Sequence, residues 1–127
     1  MRRLQLVVAL LGIITNVGAA AAATAPRDRA QEQAIDQAVS AVDPASVAVL
    51  HEGNDAMDHG DPTTAAQKYA AVHAKAPDVA SVTRRLCAAE WRAGNVDAAL
   101  EHCREALKKE DSPENHAALA GSTADTA

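Results

Sequence analysis

One internal repeat constrains this chain more than any other feature. Written at an offset of 34 residues, "GNDAMDHGDPTTAAQKYAAVHAKAPD" (Gly53 to Asp78) and "CAAEWRAGNVDAALEHCREALKKEDS" (Cys87 to Ser112) align Gly60 with Gly94, Asp61 with Asn95, Ala65 with Ala99 and Tyr69 with Cys103. A unit of that length buries its apolar side only against the next unit, so the chain must build a stack of supersecondary elements. Glycine suits the left-handed position that closes a helix, and Asp or Asn directly after it suits the N-cap of a second one. Each unit therefore reads as helix, tight turn, helix.

The expected first helices run about Ala45 to His59 and Ala80 to Ala93, and the second helices about Pro62 to Lys75 and Val96 to Lys109, with Pro62 at a first helical position. Upstream, Ala30, Ala34, Ile35, Ala38, Val39 and Val42 share the spacing of one helical face, and Ile35 lies one repeat before Tyr69. That segment reads as the second helix of a decayed preceding unit, capping the N-terminal end. Downstream, Pro113 opens a helix of about two turns, and the "GSTADTA" tail is expected to be disordered. Only 2% of the residues are aromatic, although 48% are hydrophobic, and runs of β-branched residues at period two are absent. The fold class is all-α, with close-packed alanine-rich helices. The organisation is a leader over 1–23, a linker and capping helix over 24–44, repeats over 45–78 and 79–111, and a short helix with a tail over 112–127.

The two units resemble the tetratricopeptide repeat, a helical α-solenoid family. The matching residues are Gly53, Gly60, Ala65, Tyr69, Val72 and Pro77 in the first, and Leu86, Cys87, Gly94, Ala99, Cys103, Ala106 and Leu107 in the second. The resemblance covers roughly Ser46 to Asp111; Ala56 and Glu90 stand where the family has tyrosine, and Cys103 where it has an aromatic. It implies a non-enzymatic protein-interaction module whose concave face is lined by first-helix residues. Carried over by position, these are Val47, Leu50, Asn54, Met57 and Asp58, then Ser81, Arg84, Ala88, Trp91 and Arg92. Leu50 stands where some members place the first basic residue of a carboxylate clamp, so that clamp is not reproduced.

The N-terminus reads as an export signal. "MRR" is a positive n-region, "LQLVVALLGIITNV" an apolar h-region, and "GAAAAA" offers small residues to a signal peptidase, with cleavage expected after Ala23. The apolar run is short for a membrane span, so no stable span is expected once the signal is cut. Loss of Arg2 and Arg3 takes the twelve basic residues to ten against 17 acidic ones, moving the net charge from −5 to about −7. A surface of that sign repels phosphate backbones, which argues against nucleic acid as a partner. The expected destination is periplasmic or secreted, where thiols oxidise.

Cys87 and Cys103 fall on facing helices of one hairpin, seven residues before and nine after Gly94. At about 1.5 Å rise per residue the thiols lie within roughly one turn of the same height. A structural disulfide is the favoured reading, with two reduced core cysteines and a thiol-redox pair as alternatives. A metal site of Cys87, Cys103 and His102 is disfavoured, because adjacent helical residues point about 100° apart and no fourth ligand is spaced for it. The five histidines, His51, His59, His73, His102 and His116, show no ligand spacing and are expected to be exposed helical residues. Asp55, Asp58 and Asp61 do not make a calcium loop: Met57, His59 and Ala66 occupy positions that need oxygen ligands. No nucleophile elbow, triad or phosphate loop is present, and no cofactor is implied.

The functional expectation is thus an exported adaptor binding a protein or peptide through Asn54, Met57, Arg84, Ala88, Trp91 and Arg92, residues of the helix-A face. Trp and Arg are the residue types that anchor such contacts. The bland alternative for Trp91 is that its indole fills the place of the missing tyrosine at Glu90. Two repeats are near the lower limit for a stable stack, which calls for a staple, a partner or self-association. A structural remnant of a longer array is the remaining alternative.

Overall fold

The turns that join the helices of each repeat have the same hydrogen bonds in a computed structural model that describes residues 26–124. Gly60 and Gly94 take positive φ values of 75° and 87°. Past each glycine the chain bonds back into the helix it has left: Asp61 N–H donates to the Ala56 carbonyl at 2.8 Å and Asn95 N–H to that of Glu90 at 2.9 Å. Gly60 N–H and Gly94 N–H donate to Met57 and Trp91, completing the same C-terminal motif in both units. Asp61 then caps the next helix by accepting from the Thr64 N–H at 3.1 Å, and hydrogen bonding from the Thr64 side chain, then from its backbone, holds the Asp61 carboxyl below the usual range. Asn95 occupies the matching position without a side-chain cap bond.

Six helices and no strands are present among the described residues: α1 Arg29–Val42, α2 Ser46–Asp58, α3 Pro62–Lys75, α4 Ala80–Arg92, α5 Val96–Lys109 and α6 Pro113–Ala124. The α2–α3 and α4–α5 hairpins are the two repeats. The expected signal over residues 1–23 lies outside the described residues. Within them, no helix is long and apolar enough to cross a membrane.

The core has two parts. The larger joins Ile35 and Val39 of α1, Leu50 of α2, Ala65, Tyr69 and Val72 of α3, and Val82, Leu86 and Ala89 of α4. The smaller is built around Cys87, Ala99 and Cys103, flanked by Trp91 and by Ala118 and Leu119 of α6. Cys87 and Cys103 are joined as a disulfide with Cα atoms 5.3 Å apart, inside the range such a bond requires. Both are fully buried, which removes them from exchange with external thiols and disfavours a redox-active pair.

The flanking helices depart from expectation. α6 runs 12 residues and takes in Gly121–Ala124, part of the tail expected to be disordered. The reason is tertiary: Ser122 Oγ lies 3.4 Å from the Cys87 sulfur, and buried Asn115 donates to the Ala106 and Glu110 carbonyls that close α5. Docking of this kind holds a short helix that would be marginal alone. α6 thereby takes the place of a third first helix.

α1 does more than cap an end. Arg27, just before it, pairs with Asp58 near the end of α2 at 2.9 Å, while Asp36 within it meets His51 at 2.8 Å, so α1 runs antiparallel to α2. Glu32 continues beyond α2 to pair with Arg85 of α4. Gln31, Ala34, Ile35 and Ala38 of α1 face Ser81 and Arg84 across a shallow cleft. The helix is laid over the first-helix face opposite α3, not stacked beside α2 alone.

Candidate partner-binding groove

The first helices α2 and α4 form the floor of the groove and run in the same direction. Asn54 is their junction. It is buried, and its side-chain oxygen accepts from the Tyr69 hydroxyl at 2.7 Å and from Arg85 at 3.0 Å, while its amide reaches Glu32 at 3.5 Å. Burial raises the Tyr69 pKa, so the phenol stays a donor at neutral pH. Asn54 is therefore committed to joining α1, α2, α3 and α4, and presents no free contact group.

Arg84 is also engaged internally. Its guanidinium donates to the Asn115 side chain at 3.2 Å, which ties α4 to α6. Burial, followed by the neighbouring Arg85 charge, presses its pKa below the usual guanidinium value.

The remaining four expected residues converge. Met57, Asp58, Arg85, Ala88 and Arg92, with Arg27 and Tyr69, line a depression of about 190 Å³ beyond the N-terminal end of α1. Ala88 and Arg92 also border a second depression of about 290 Å³, shared with Trp91 and with Ala117, Ala118, Gly121 and Ser122 of α6. Together they make one open trough between α1 and α6. Arg27 and Arg85 are neutralised by Asp58 and Glu32, whereas Arg92 is exposed and has no carboxylate partner among the described residues. Trp91 is half-buried, with part of its indole against the disulfide cluster and part on the trough.

A comparison with known protein families matches residues 56–121 to the tetratricopeptide repeat, just over half of the chain. The chain belongs to the tetratricopeptide repeat family. Neither the curated proteins nor the solved structures contain a match. The tetratricopeptide fold makes the chain a protein-interaction module in general terms, and the trough is the part of its first-helix face that the chain's own flanking helices leave open.

The structure also brings together residues that spacing did not. His73 of α3 and His102 and Glu105 of α5 each place a ligand atom within 4.8 Å of the others. His73 and His102 are part-buried, against the expectation of exposed histidines. Burial lowers the His73 pKa despite the nearby Glu105 carboxylate. Burial also acts to raise Glu105, but the Lys109 hydrogen bond and His73 outweigh it and hold the carboxyl below its ordinary value. The legible signal was the i, i+3 pair of His102 and Glu105; His73 comes from another repeat and shares no offset with them.

Proposed function

We propose that this tetratricopeptide repeat protein is an exported adaptor. On this reading its trough at Met57, Ala88, Trp91 and Arg92 docks a peptide or helix of a protein partner. The observation that carries it is Arg92: an exposed guanidinium without a carboxylate partner among the described residues, beside the one tryptophan, at the rim of an otherwise internally paired surface. Arg recognises carboxylates with a fixed fork, and Trp and Arg dominate interface energetics. The partner segment should present an acidic side chain to Arg92 and an apolar one between Met57 and Trp91. Recognition is by docking to a helical face, without covalent chemistry. Export is supported by the n-region, h-region and small residues of 1–23, and by a disulfide of the kind oxidising compartments favour. Cleavage would show as a mature chain beginning at Thr24 by mass spectrometry.

The test is affinity for the partner identified from the native compartment. Arg92→Glu should weaken it about tenfold or more, and Trp91→Ala by a similar factor, in line with anchor residues of interfaces. Both variants must keep wild-type helicity. Unchanged affinity in folded Arg92→Glu would place the binding surface elsewhere.

A further inference from the structure

The face of the molecule opposite the trough carries a second arrangement. His73 Nε2 lies 3.5 Å from Glu105 Oε1, and the His73 and His102 rings meet edge to face with centroids 5.6 Å apart. Each ring is held by a hydrogen bond at Nδ1. His73 Nδ1 is bonded to the hydroxyl of fully buried Thr83 at 3.2 Å, and His102 Nδ1 to the carboxylate of buried Glu90 at 2.7 Å. A carboxylate behind an imidazole is the support that orients metal-binding histidines and sets the free nitrogen as the lone-pair donor, and a hydroxyl gives the same support when it accepts from Nδ1–H. Glu105 sits one turn from His102 on the same side of α5, so its carboxylate reaches the same point.

We propose that His73, His102 and Glu105 bind a divalent transition-metal ion of the zinc type, which pins α3 of the first repeat to α5 of the second. Two imidazoles and one carboxylate suit zinc, copper or nickel, and disfavour calcium and magnesium, which take oxygen ligands. Around a tetrahedral zinc with bonds near 2.0 to 2.1 Å, ligand atoms stand roughly 3.3 Å apart. The three groups, within 4.8 Å of one another, need to draw in by at most about 1.5 Å to reach that spacing. Water completes the fourth position. Lys109 is the competing cation: its ammonium holds Glu105 Oε1 at 2.6 Å and also contacts the Pro77 carbonyl. A carboxylate keeps a second oxygen for the ion, so Lys109 weakens the site without blocking it. The ion would cross-link successive repeats, as the disulfide cross-links the two helices of one.

Calorimetric titration of the purified, disulfide-intact chain with zinc chloride tests this directly. One equivalent should bind; His73→Gln and His102→Gln should each abolish that step, and Glu90→Gln should weaken it about 10- to 100-fold through the loss of imidazole orientation. The proposal fails if no saturable one-to-one step appears, or if the step survives unchanged in these variants, which would assign it to the exposed histidines. Should a histidine variant not fold by circular dichroism, Lys109→Gln carries the test from a more accessible position: removing the competing charge must tighten zinc binding, and unchanged or weaker binding overturns the site.

Discussion

The ring of Tyr69 occupies the space that a side chain on Gly53 would need. A Cβ built on Gly53 would stand 2.7 Å from Cε1 and 2.8 Å from Cδ1 of that ring. The ring is held from the other end by its hydroxyl bond to Asn54, so it cannot swing aside cheaply. On an open helix Gly→Ala gains about 1 kcal/mol from propensity. Here Gly53→Ala should instead destabilise by about 1 to 3 kcal/mol through overpacking, read from urea unfolding. A more stable variant would contradict the packing described.

The disulfide gives a second prediction. Native protein should consume no thiol reagent, because both sulfurs are buried and joined. The bond spans a sequence separation of 16, and cutting a loop of that size should cost about 3 kcal/mol of stability in reducing buffer. Two reactive thiols in unreduced native protein would refute the bond.

The ion pair of Glu32 with Arg85 fastens α1 across the first helices. Arg85 is only 11% exposed at its side chain, so Glu32→Ala leaves a largely buried cation with Asn54 as its remaining partner. A loss of about 1 to 3 kcal/mol is expected. Amide exchange should rise in α1 ahead of α3 and α4. Exchange that rises evenly along the chain would show that α1 is not separately fastened.

Acid should weaken the fold in two windows in metal-free buffer. His73 is held neutral by burial, with a folded pKa below its ordinary 6.5, so the unfolded chain binds protons first as pH falls. Stability is therefore full above 6.5 and declines as pH drops through the folded value. Glu105 is likewise depressed and adds a second decline below its ordinary 4.5. Melting temperature from pH 8 to 4 should fall less steeply near pH 6 in His73→Gln; an unchanged profile would exclude His73 as a contributor.

Much of the stack was legible because local rules and the repeat agree. Gly60, Gly94, Asp61 and Pro62 mark their turns by backbone preference alone, and the bounds of α3 and α5 coincide with those expected. What was hidden depended on contacts between distant segments. The tail Gly121–Ala124 has poor helix formers and is held by Ser122 against the disulfide. Asn54 looked like a surface contact by position in the family pattern, and its burial follows from Tyr69 and Glu32, which lie in other helices. The path of α1 over α4 rests on a charge pair 53 residues apart in sequence and on a core cluster that Ile35 and Val39 share with Val82 and Leu86, separations no local pattern encodes. The trough is what remains of the first-helix face after those contacts are made.

Site-specific photocrosslinking in the native compartment tests the binding account most directly. A crosslinking residue at Ala88, on the floor of the trough, should capture a discrete protein partner, and Arg92→Glu in the same chain should abolish the product. The same residue at exposed Glu101 on α5 should capture nothing comparable. Equal capture from Glu101, or capture from Ala88 that ignores Arg92→Glu, would contradict the trough as the docking surface.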